Sequence, residues 1–207
     1  MPEGITKDEV NKLLLNYQAQ AMRTLGFACK ELSKGTVAIA DGKLQTRDLE
    51  FLGIVGISDP VRADVPDAVH EVLDAGIGVK IVTGDTPGTA KEIGRQVGVW
   101  RDDRDTDKNI TSGPEIAAMS DEQLEKVAND LKIIARARPM DKKRLVEALQ
   151  RRNQVVAVTG DGTNDAPALK AAHVGLSMGD GTAVAKEASD ITILDNSFTS
   201  IGRAVMW

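Results

Sequence analysis

The feature that most constrains the fold is an alternation of short apolar segments with amphipathic ones from residue 59 onward. The apolar, strand-like segments cover residues 78–83, 132–137, 154–159 and 174–177. The segments with helical periodicity cover residues 64–75, 87–97, 121–131 and 141–152. Because strands that alternate with helices build parallel sheets, the pattern predicts an α/β, Rossmann-like domain with helices on both faces of a mostly parallel sheet.

The first 58 residues show a different pattern and predict a small α+β region. A helix is expected over residues 6–25, with Thr6 and Glu9 as a possible capping box, and strands are expected at residues 27–32 and 49–57. Pro60 then interrupts a long apolar strand. We therefore predict a domain boundary at residue 59, with domains 1–58 and 59–207.

Composition and charge exclude several classes of protein. The net charge of -5 gives no global attraction for nucleic acid, so no nucleic-acid partner is expected. No apolar run approaches the roughly 18 residues that a membrane helix needs, and the N-terminus has no apolar signal core. The chain by itself is therefore expected to be soluble. Aromatic residues make up only 3%, which favours a core of Val, Ile, Leu and Ala, as in buried parallel strands.

The strongest chemical signal is a glycine-rich turn after the apolar segment 154–159. It contains two carboxylates, Asp161 and Asp165, together with Asn164. Closely spaced oxygen ligands suit a hard cation such as Mg²⁺, and glycine lets a ligand approach the backbone. The same residues also suit an Asx turn with a helix cap. The pattern thus indicates a Mg²⁺ site, with an ordinary turn as the alternative.

Two further segments have the chemistry to bind a phosphate group. Thr83-Gly84-Asp85 ends an apolar segment just before a helix, where a hydroxyl and backbone N–H groups can bind phosphate. Lys142 lies in the first turn of a helix, where a cation opposes the helix dipole unless it faces an anion. Taken alone, an ordinary turn and a solvated basic face explain these segments better. Parallel strands place their carboxyl ends at one edge of the sheet, which favours a shared site.

The order of these motifs resembles that of the P-type cation-transporting ATPases, members of the haloacid dehalogenase-like superfamily. The matching segments are residues 23–28, 59–62, 83–85, 139–142, 159–169 and 181–190. They span nearly the whole chain, and the overall similarity is greatest to the calcium-pump branch. The resemblance implies a haloacid dehalogenase-like fold. It also implies a parent protein that is an ATP-driven membrane cation pump, with this part on the cytoplasmic face.

The resemblance also implies what each part contributes. Residues 1–58 would be the C-terminal part of a nucleotide-binding domain, and residues 59–207 would be most of a phosphorylation domain, ending where a membrane stalk starts. Arg23 would reach the nucleotide phosphates, with Leu25 packing nearby. Arg136 and Asp85 would lie near the ribose and the hinge between the domains, and residues 59–62 would be one strand of that hinge. Without the family match, Arg23 would be interpreted as a surface arginine on a helix.

The implied catalytic set lies in the second domain. Its members are Thr83, Gly84, Asp85, Lys142, Asn164 and Asp165. By the resemblance, Thr83 would bond the phosphoryl group, Lys142 would neutralise its charge, and Asp161 would hold Mg²⁺ with help from Asp165. The implied cofactors are ATP and Mg²⁺. The implied partners are the transported cation, Ca²⁺ by overall similarity, and the rest of the same pump.

The nucleophile of the family, the aspartate of an Asp-Lys-Thr-Gly-Thr motif, does not occur in this sequence. In the family this motif precedes the inserted nucleotide domain, so we expect it upstream and expect the chain alone to be catalytically inactive. Its strand would be central, between the strands that lead to Thr83 and Asp161. Because unpaired edges promote association, we expect either a sheet closed over the gap or a strand borrowed from another copy.

Two other functions stay open at this point. A soluble phosphatase of the same superfamily is disfavoured by the missing nucleophile and by the segment 23–28, which matches the inserted domain of the pumps. A non-catalytic module that binds nucleotide or a partner needs no nucleophile, so nothing in the sequence argues against it. The transported ion cannot be deduced from these residues, since its ligands in the family lie in membrane helices.

Overall fold

The computed structural model describes residues 6–58 and 60–206, and the chain divides into two compact units between Asp59 and Pro60. Asp59, assigned above to a hinge, and Trp207 lie outside the described residues. The first unit combines one helix with antiparallel strands, and the second carries all the parallel strand pairs among the described residues.

The first unit is built on a two-stranded antiparallel ribbon. Its elements are α1 (Lys7–Ala19), β1 (Arg23–Cys29), β2 (Ile39–Ala40), β3 (Lys43–Leu44) and β4 (Glu50–Ile57). β1 pairs with β4, and β2 pairs with β3. The capping box is present: the Thr6 hydroxyl accepts the Glu9 N–H at 3.3 Å, and the Glu9 carboxylate accepts the Thr6 N–H at 2.8 Å.

The helix predicted over residues 6–25 is wrong beyond residue 19. Ala21 adopts a left-handed backbone with φ of 58°, which ends the helical path, and Arg23 pairs with Ile57 as the first residue of β1. The apolar spacing of Ala21 and Leu25 fits a helix, but pairing with β4 satisfies the backbone of residues 23–29 instead. Tertiary pairing overrides local propensity here, as it often does for short segments.

The second unit alternates helices and strands. Its elements are α2 (Val65–Asp74), β5 (Ile81–Val82), α3 (Pro87–Gln96), β6 (Ile110–Ser112), α4 (Gly113–Ala118), α5 (Asp121–Ala128), β7 (Ile133–Ala135), α6 (Pro139–Arg151), β8 (Ala157–Gly160), α7 (Ala166–Ala171), β9 (Val174–Met178), α8 (Ala183–Ala188), β10 (Ile191–Ile193) and α9 (Phe198–Met206). Every strand pair in this unit is parallel, which confirms the α/β fold class. No helix within residues 6–58 and 60–206 has the length and apolar character that crossing a membrane requires.

The parallel strands form two separate three-stranded sheets, with orders β5-β7-β6 and β8-β9-β10. Within the described ranges β5 and β8 do not pair with each other, so the expectation of a sheet closed over the gap is wrong for the single chain. Within the described ranges β8 is an end strand that pairs only with β9, and Ala157 and Thr159 on one of its faces are exposed. A strand borrowed from another copy stays a prediction.

One hydrophobic core nevertheless joins the two sheets. It contains Ile134 of β7, Leu145 of α6, Val158 of β8 and Leu169 of α7, and Val82 of β5 packs against it. Side chains of α6 and α7 therefore share one core with side chains from both sheets. Burial of these side chains is the main favourable term for the second unit.

Neither β6 nor α4 was predicted from the sequence. Both are short, and Ser112 connects them as an N-cap that accepts the Glu115 N–H at 3.4 Å. Arg144 of α6 fixes the end of α4 by donating to the Ile116 and Met119 carbonyls, each at 2.8 Å. Because the Arg144 contacts join residues that are distant in sequence, local periodicity does not reveal them.

Candidate functional site

The turn after β8 is built around the Asp165 carboxylate. Asp165 Oδ2 accepts the backbone N–H groups of Asp161 and Gly162, at 3.2 and 3.1 Å. Gly160 allows this fold-back, because a Cβ at that position would lie 2.4 Å from Asp165 Cβ. Only glycine fits there without moving the carboxylate. Asp161 is exposed, and its side chain is left at the surface beside this turn.

Lys142 pairs with the same carboxylate. Its Nζ donates to Asp165 Oδ1 at 2.6 Å, and both side chains are 19% exposed. Lys142 lies in the first turn of α6, which begins four residues after β7 ends. The anion that the sequence led us to expect opposite Lys142 is therefore, in this structure, the Asp165 carboxylate.

The loop after β5 is held by the end of β7. The Thr83 and Asp85 carbonyls accept the N–H groups of Ala137 and Arg136, each at 2.9 Å. The Thr83 hydroxyl donates to Asp85 Oδ2 at 2.9 Å and accepts the Asp85 N–H at 3.1 Å. Beside Gly84 a Cβ would meet nothing within 4 Å, so a ligand can reach the backbone there.

The residues predicted for the site fall into three groups. Direct hydrogen bonds bring together Lys142, Asp161 and Asp165, and Asn164 lies exposed on the 3₁₀ turn Thr163–Asp165 between them. The loop 83–85 connects to this group through Arg136 and Ala137, which lead directly into α6. Arg136 itself is exposed, with a left-handed φ of 52°.

The predicted nucleotide residues Arg23 and Leu25 lie on β1 of the first unit. The Arg23 residue is exposed, and Leu25 is 52% exposed. The assignment of Arg23 and Leu25 to nucleotide binding stays a prediction.

The donor set suits Mg²⁺ bound through few protein ligands. Mg²⁺ usually keeps several waters and takes one or two carboxylates plus phosphate oxygens. Both Asp165 oxygens already accept hydrogen bonds, whereas the Asp161 side chain is exposed. The described residues contain no group of three or more His, Cys, Asp or Glu side chains able to form a complete protein cage. Asp161 is therefore suited to bind Mg²⁺ directly, whereas Asp165 is suited to shape the loop.

Two residues that were not predicted for the site, Gly181 and Thr182, support Asp161. The Thr182 N–H donates to the Asp161 carbonyl at 2.8 Å. At Gly181 a Cβ would lie 3.1 Å from the same carbonyl oxygen. The run Gly179-Asp180-Gly181-Thr182, which has turn residues before a helix, was the signal that could have found this contact.

The electrostatics of Asp165 reflect two opposing effects. Partial burial by itself raises the pKa of the Asp165 carboxyl. The hydrogen bond and charge of Lys142, with the N–H groups of Gly162 and Asp161, outweigh burial and hold that pKa below its ordinary value. A carboxyl with a lowered folded-state pKa stabilises the fold above its unfolded pKa, which is about 3.9, and loses that contribution as pH falls through the folded value.

We expect this pH dependence to be measurable with Asp165→Asn. At pH 7 the variant should be less stable than the wild type, and the difference should shrink as pH falls below about 4. The measurement is urea denaturation followed by circular dichroism at pH 7, 5 and 3.5. A difference in free energy of unfolding that stays constant over this range would contradict the assigned cause.

A parallel α/β fold with an acidic turn at the end of one strand, paired with a lysine from the helix that precedes that strand, is typical of a haloacid dehalogenase-like domain. The family model described as haloacid dehalogenase-like hydrolase matches residues 5–173. The chain belongs to this family.

Proteins similar to nearly the whole chain include calcium-transporting ATPases. The chain is 51% identical to Calcium-transporting ATPase 2 of Schizosaccharomyces pombe over 97% of its own length and 16% of that protein. It is 44% identical to Calcium-transporting ATPase 5, plasma membrane-type, of Oryza sativa subsp. japonica over 100% of its own length and 19% of that protein. It is 43% identical to Calcium-transporting ATPase PAT1 of Dictyostelium discoideum over 93% of its own length and 17% of that protein. The chain thus spans less than a fifth of the length of these relatives.

Proposed function

We propose that this chain is part of the cytoplasmic machinery of an ATP-driven Ca²⁺ pump that works through an aspartyl-phosphate intermediate. The observation that carries the proposal is the joining of Lys142, Asp165 and the Asp161 backbone in one hydrogen-bonded cluster. Similarity to calcium-transporting ATPases over nearly the whole chain supports the ion and the use of ATP. As part of such a pump, the chain lies on the cytoplasmic face of a membrane.

Apart from the nucleophile, the second unit has the parts that a phosphoryl-transfer site needs. Catalysis of this reaction is mainly positioning and charge neutralisation around the transferred phosphoryl group. In our proposal the Thr83 hydroxyl and the Gly84 backbone hold the phosphoryl oxygens, and Lys142 neutralises their charge. Asp161 holds Mg²⁺, which supplies further charge neutralisation when bound.

The remaining residues have supporting roles in the proposal. Asn164 and Asp165 shape the turn that carries Asp161, and Asp85 orients Thr83 through their mutual hydrogen bonds. Arg23, Leu25 and Arg136 bind the nucleotide. Residues 1–58 then belong to a nucleotide-binding domain and residues 59–207 to a phosphorylation domain.

The open edges of β5 and β8 provide a place for the missing nucleophile. Each of these strands has one parallel neighbour, each rests on the same core through Val82 or Val158, and each leads into a Thr-Gly-Asp sequence. We propose that a parallel strand ending in Asp-Lys-Thr-Gly-Thr, from the rest of the pump, pairs with both edges. In its absence the same edges promote self-association of the chain.

The Mg²⁺ assignment is tested by titrating the ¹⁵N-labelled chain with MgCl₂ and following the amide resonances of residues 160–162. We expect saturable shifts in the wild type and a loss of affinity of at least about tenfold in Asp161→Asn, because a direct ligand loses its charge. Asp103→Asn, which removes an exposed carboxylate outside the turn, is the matched control. Equal affinities in the two variants would rule out Asp161 as a ligand.

The absence of a nucleophile is tested with the same protein. Incubated with [γ-³²P]ATP and Mg²⁺, the chain should acquire no acid-stable, hydroxylamine-sensitive label. Labelling of this kind would overturn our assignment. The larger proposal is tested by the parent reading frame, which should contain Asp-Lys-Thr-Gly-Thr before residue 1 and flanking membrane helices. A complete frame without them would favour a non-catalytic binding module.

A further inference from the structure

The backbone of the Asp161 turn is held from two sides. On one side Asp165 accepts the Asp161 N–H, as described above. On the other side the Thr182 N–H donates to the Asp161 carbonyl at 2.8 Å. Thr182 is also the N-cap of α8, since its hydroxyl accepts the Ala185 N–H at 3.3 Å. The position of Asp161 therefore depends on the turn between β9 and α8.

That turn, residues 178–182, packs directly on the Asp161 backbone. A Cβ at Gly181 would lie 2.9 Å from the Met178 carbonyl oxygen and 3.3 Å from Asp161 Cα. The Gly181 N–H donates to the Met178 carbonyl at 2.9 Å. Because no space separates the two backbones, a displacement of this turn moves Asp161 as well.

A hydrogen-bonded ring holds the turn from its far side. The Asp180 N–H donates to Asn196 Oδ1 at 3.1 Å, and Asn196 Nδ2 donates to Asp180 Oδ2 at 2.5 Å. Asn196 adopts a left-handed backbone with φ of 52°, which asparagine tolerates better than most residues. Its own carbonyl accepts a hydrogen bond from Arg62 Nη2 at 2.5 Å. Asn196 thus links the turn to Arg62, near the start of the second unit.

We propose that Asp180 and Asn196 are positioning residues for Asp161, acting through the turn that donates the Thr182 N–H to the Asp161 carbonyl. Among the described residues neither side chain forms a hydrogen bond to the turn 161–165, so their effect is indirect. The inference deepens the proposed function, because its consequence for Mg²⁺ affinity rests on Asp161 as the Mg²⁺ ligand. Its structural part, the hold on the Asp161 backbone, does not depend on that role.

The test uses the full chain and the variant Asn196→Asp. Aspartate also tolerates a left-handed backbone, but it places a carboxylate against the Asp180 carboxylate and breaks the ring. We expect hydrogen exchange at the Thr182 N–H to become about tenfold faster, since local opening becomes easier. We also expect the Mg²⁺ dissociation constant to rise about tenfold, as for other residues that support a metal ligand.

The double variant Asp180→Asn/Asn196→Asp should rescue both measurements. It restores one amide and one carboxylate in the ring, so exchange at Thr182 and Mg²⁺ affinity should return to within about twofold of the wild type. Asn153→Asp is the matched control, because Asn153 is exposed, has a left-handed φ of 57° and lies after α6. If Asn196→Asp proves unfolded by circular dichroism, Asp180→Ala provides the same measurement without an added charge.

The outcomes separate this inference from the proposed function. If Thr182 exchange is the same in Asn196→Asp and Asn153→Asp, the inference is overturned, whatever the Mg²⁺ affinity of the wild type. If exchange accelerates but the wild type shows no Mg²⁺ response at residues 160–162, the positioning role stands and the metal assignment fails. If exchange accelerates in Asn196→Asp but this variant binds Mg²⁺ with unchanged affinity, the claim that Asp180 and Asn196 support Mg²⁺ binding is overturned.

Discussion

Replacing Gly160 with alanine should lower the free energy of unfolding by about 2–3 kcal/mol. The added methyl group would lie 2.4 Å from Asp165 Cβ and 2.6 Å from its Cγ, both close to the backbone of Asp165 rather than at a flexible end. To relieve this overlap the Asp165 carboxylate must move, and its bonds to Lys142, Asp161 and Gly162 then weaken together. Mg²⁺ affinity at the turn should fall with them.

The matched control for Gly160→Ala is Gly78→Ala. Gly78 precedes β5, and a Cβ there would meet nothing within 4 Å. Urea denaturation should find Gly78→Ala within about 0.5 kcal/mol of the wild type, as for most uncrowded surface substitutions. If the two alanine variants unfold at the same urea concentration, Gly160 is not required to make room for the Asp165 side chain.

Breaking the Lys142–Asp165 pair should have the second large effect. Asp165→Ala should cost about 3 kcal/mol, because it leaves a largely buried ammonium without its carboxylate and also releases the N–H groups of Asp161 and Gly162. Lys142→Ala should cost less, about 2 kcal/mol, since those two N–H groups keep their acceptor. The double variant should be less destabilised than the sum, with a coupling energy of about 1–2 kcal/mol.

A second ion pair on the same helix is the control for this cycle. Lys143 and Glu147 lie one turn apart on α6, with side chains 36% and 40% exposed. Their coupling should be only about 0.3–0.5 kcal/mol, because solvent screens an exposed pair. The coupling energies are measured by chemical denaturation at low salt. Equal values for the two pairs would show that burial does not strengthen the Lys142–Asp165 interaction.

The fold class followed from the sequence because it depends on local pattern. The alternation of apolar and amphipathic segments after residue 59 predicted parallel strands with helices, and the parallel pairs β5–β7 and β8–β9 agree with it. The capping box of Thr6 and Glu9 is equally local, since its partners are three residues apart. Where elements were short or paired at long range, as with β6 and β1, the same reasoning failed.

The chemistry of the candidate site could be predicted only residue by residue. Asp161, Asp165, Thr83 and Lys142 were singled out from their residue types and their place after strands or at a helix start. Nothing in the sequence indicated that the anion facing Lys142 is Asp165, because those residues are 23 positions apart. Nor did it show that Gly181 supports Asp161.

The sequence by itself determined the α/β class and singled out the residues proposed to bind phosphate and Mg²⁺, because periodicity and turn chemistry act over a few residues. Only the tertiary structure decided that the strands form two sheets with open edges at β5 and β8. It also decided that Gly160 must be glycine and that Lys142 meets Asp165. The reason is that contact distances and steric overlap depend on segments distant in the chain, and local sequence patterns do not encode which distant backbone or side chain fills a given space.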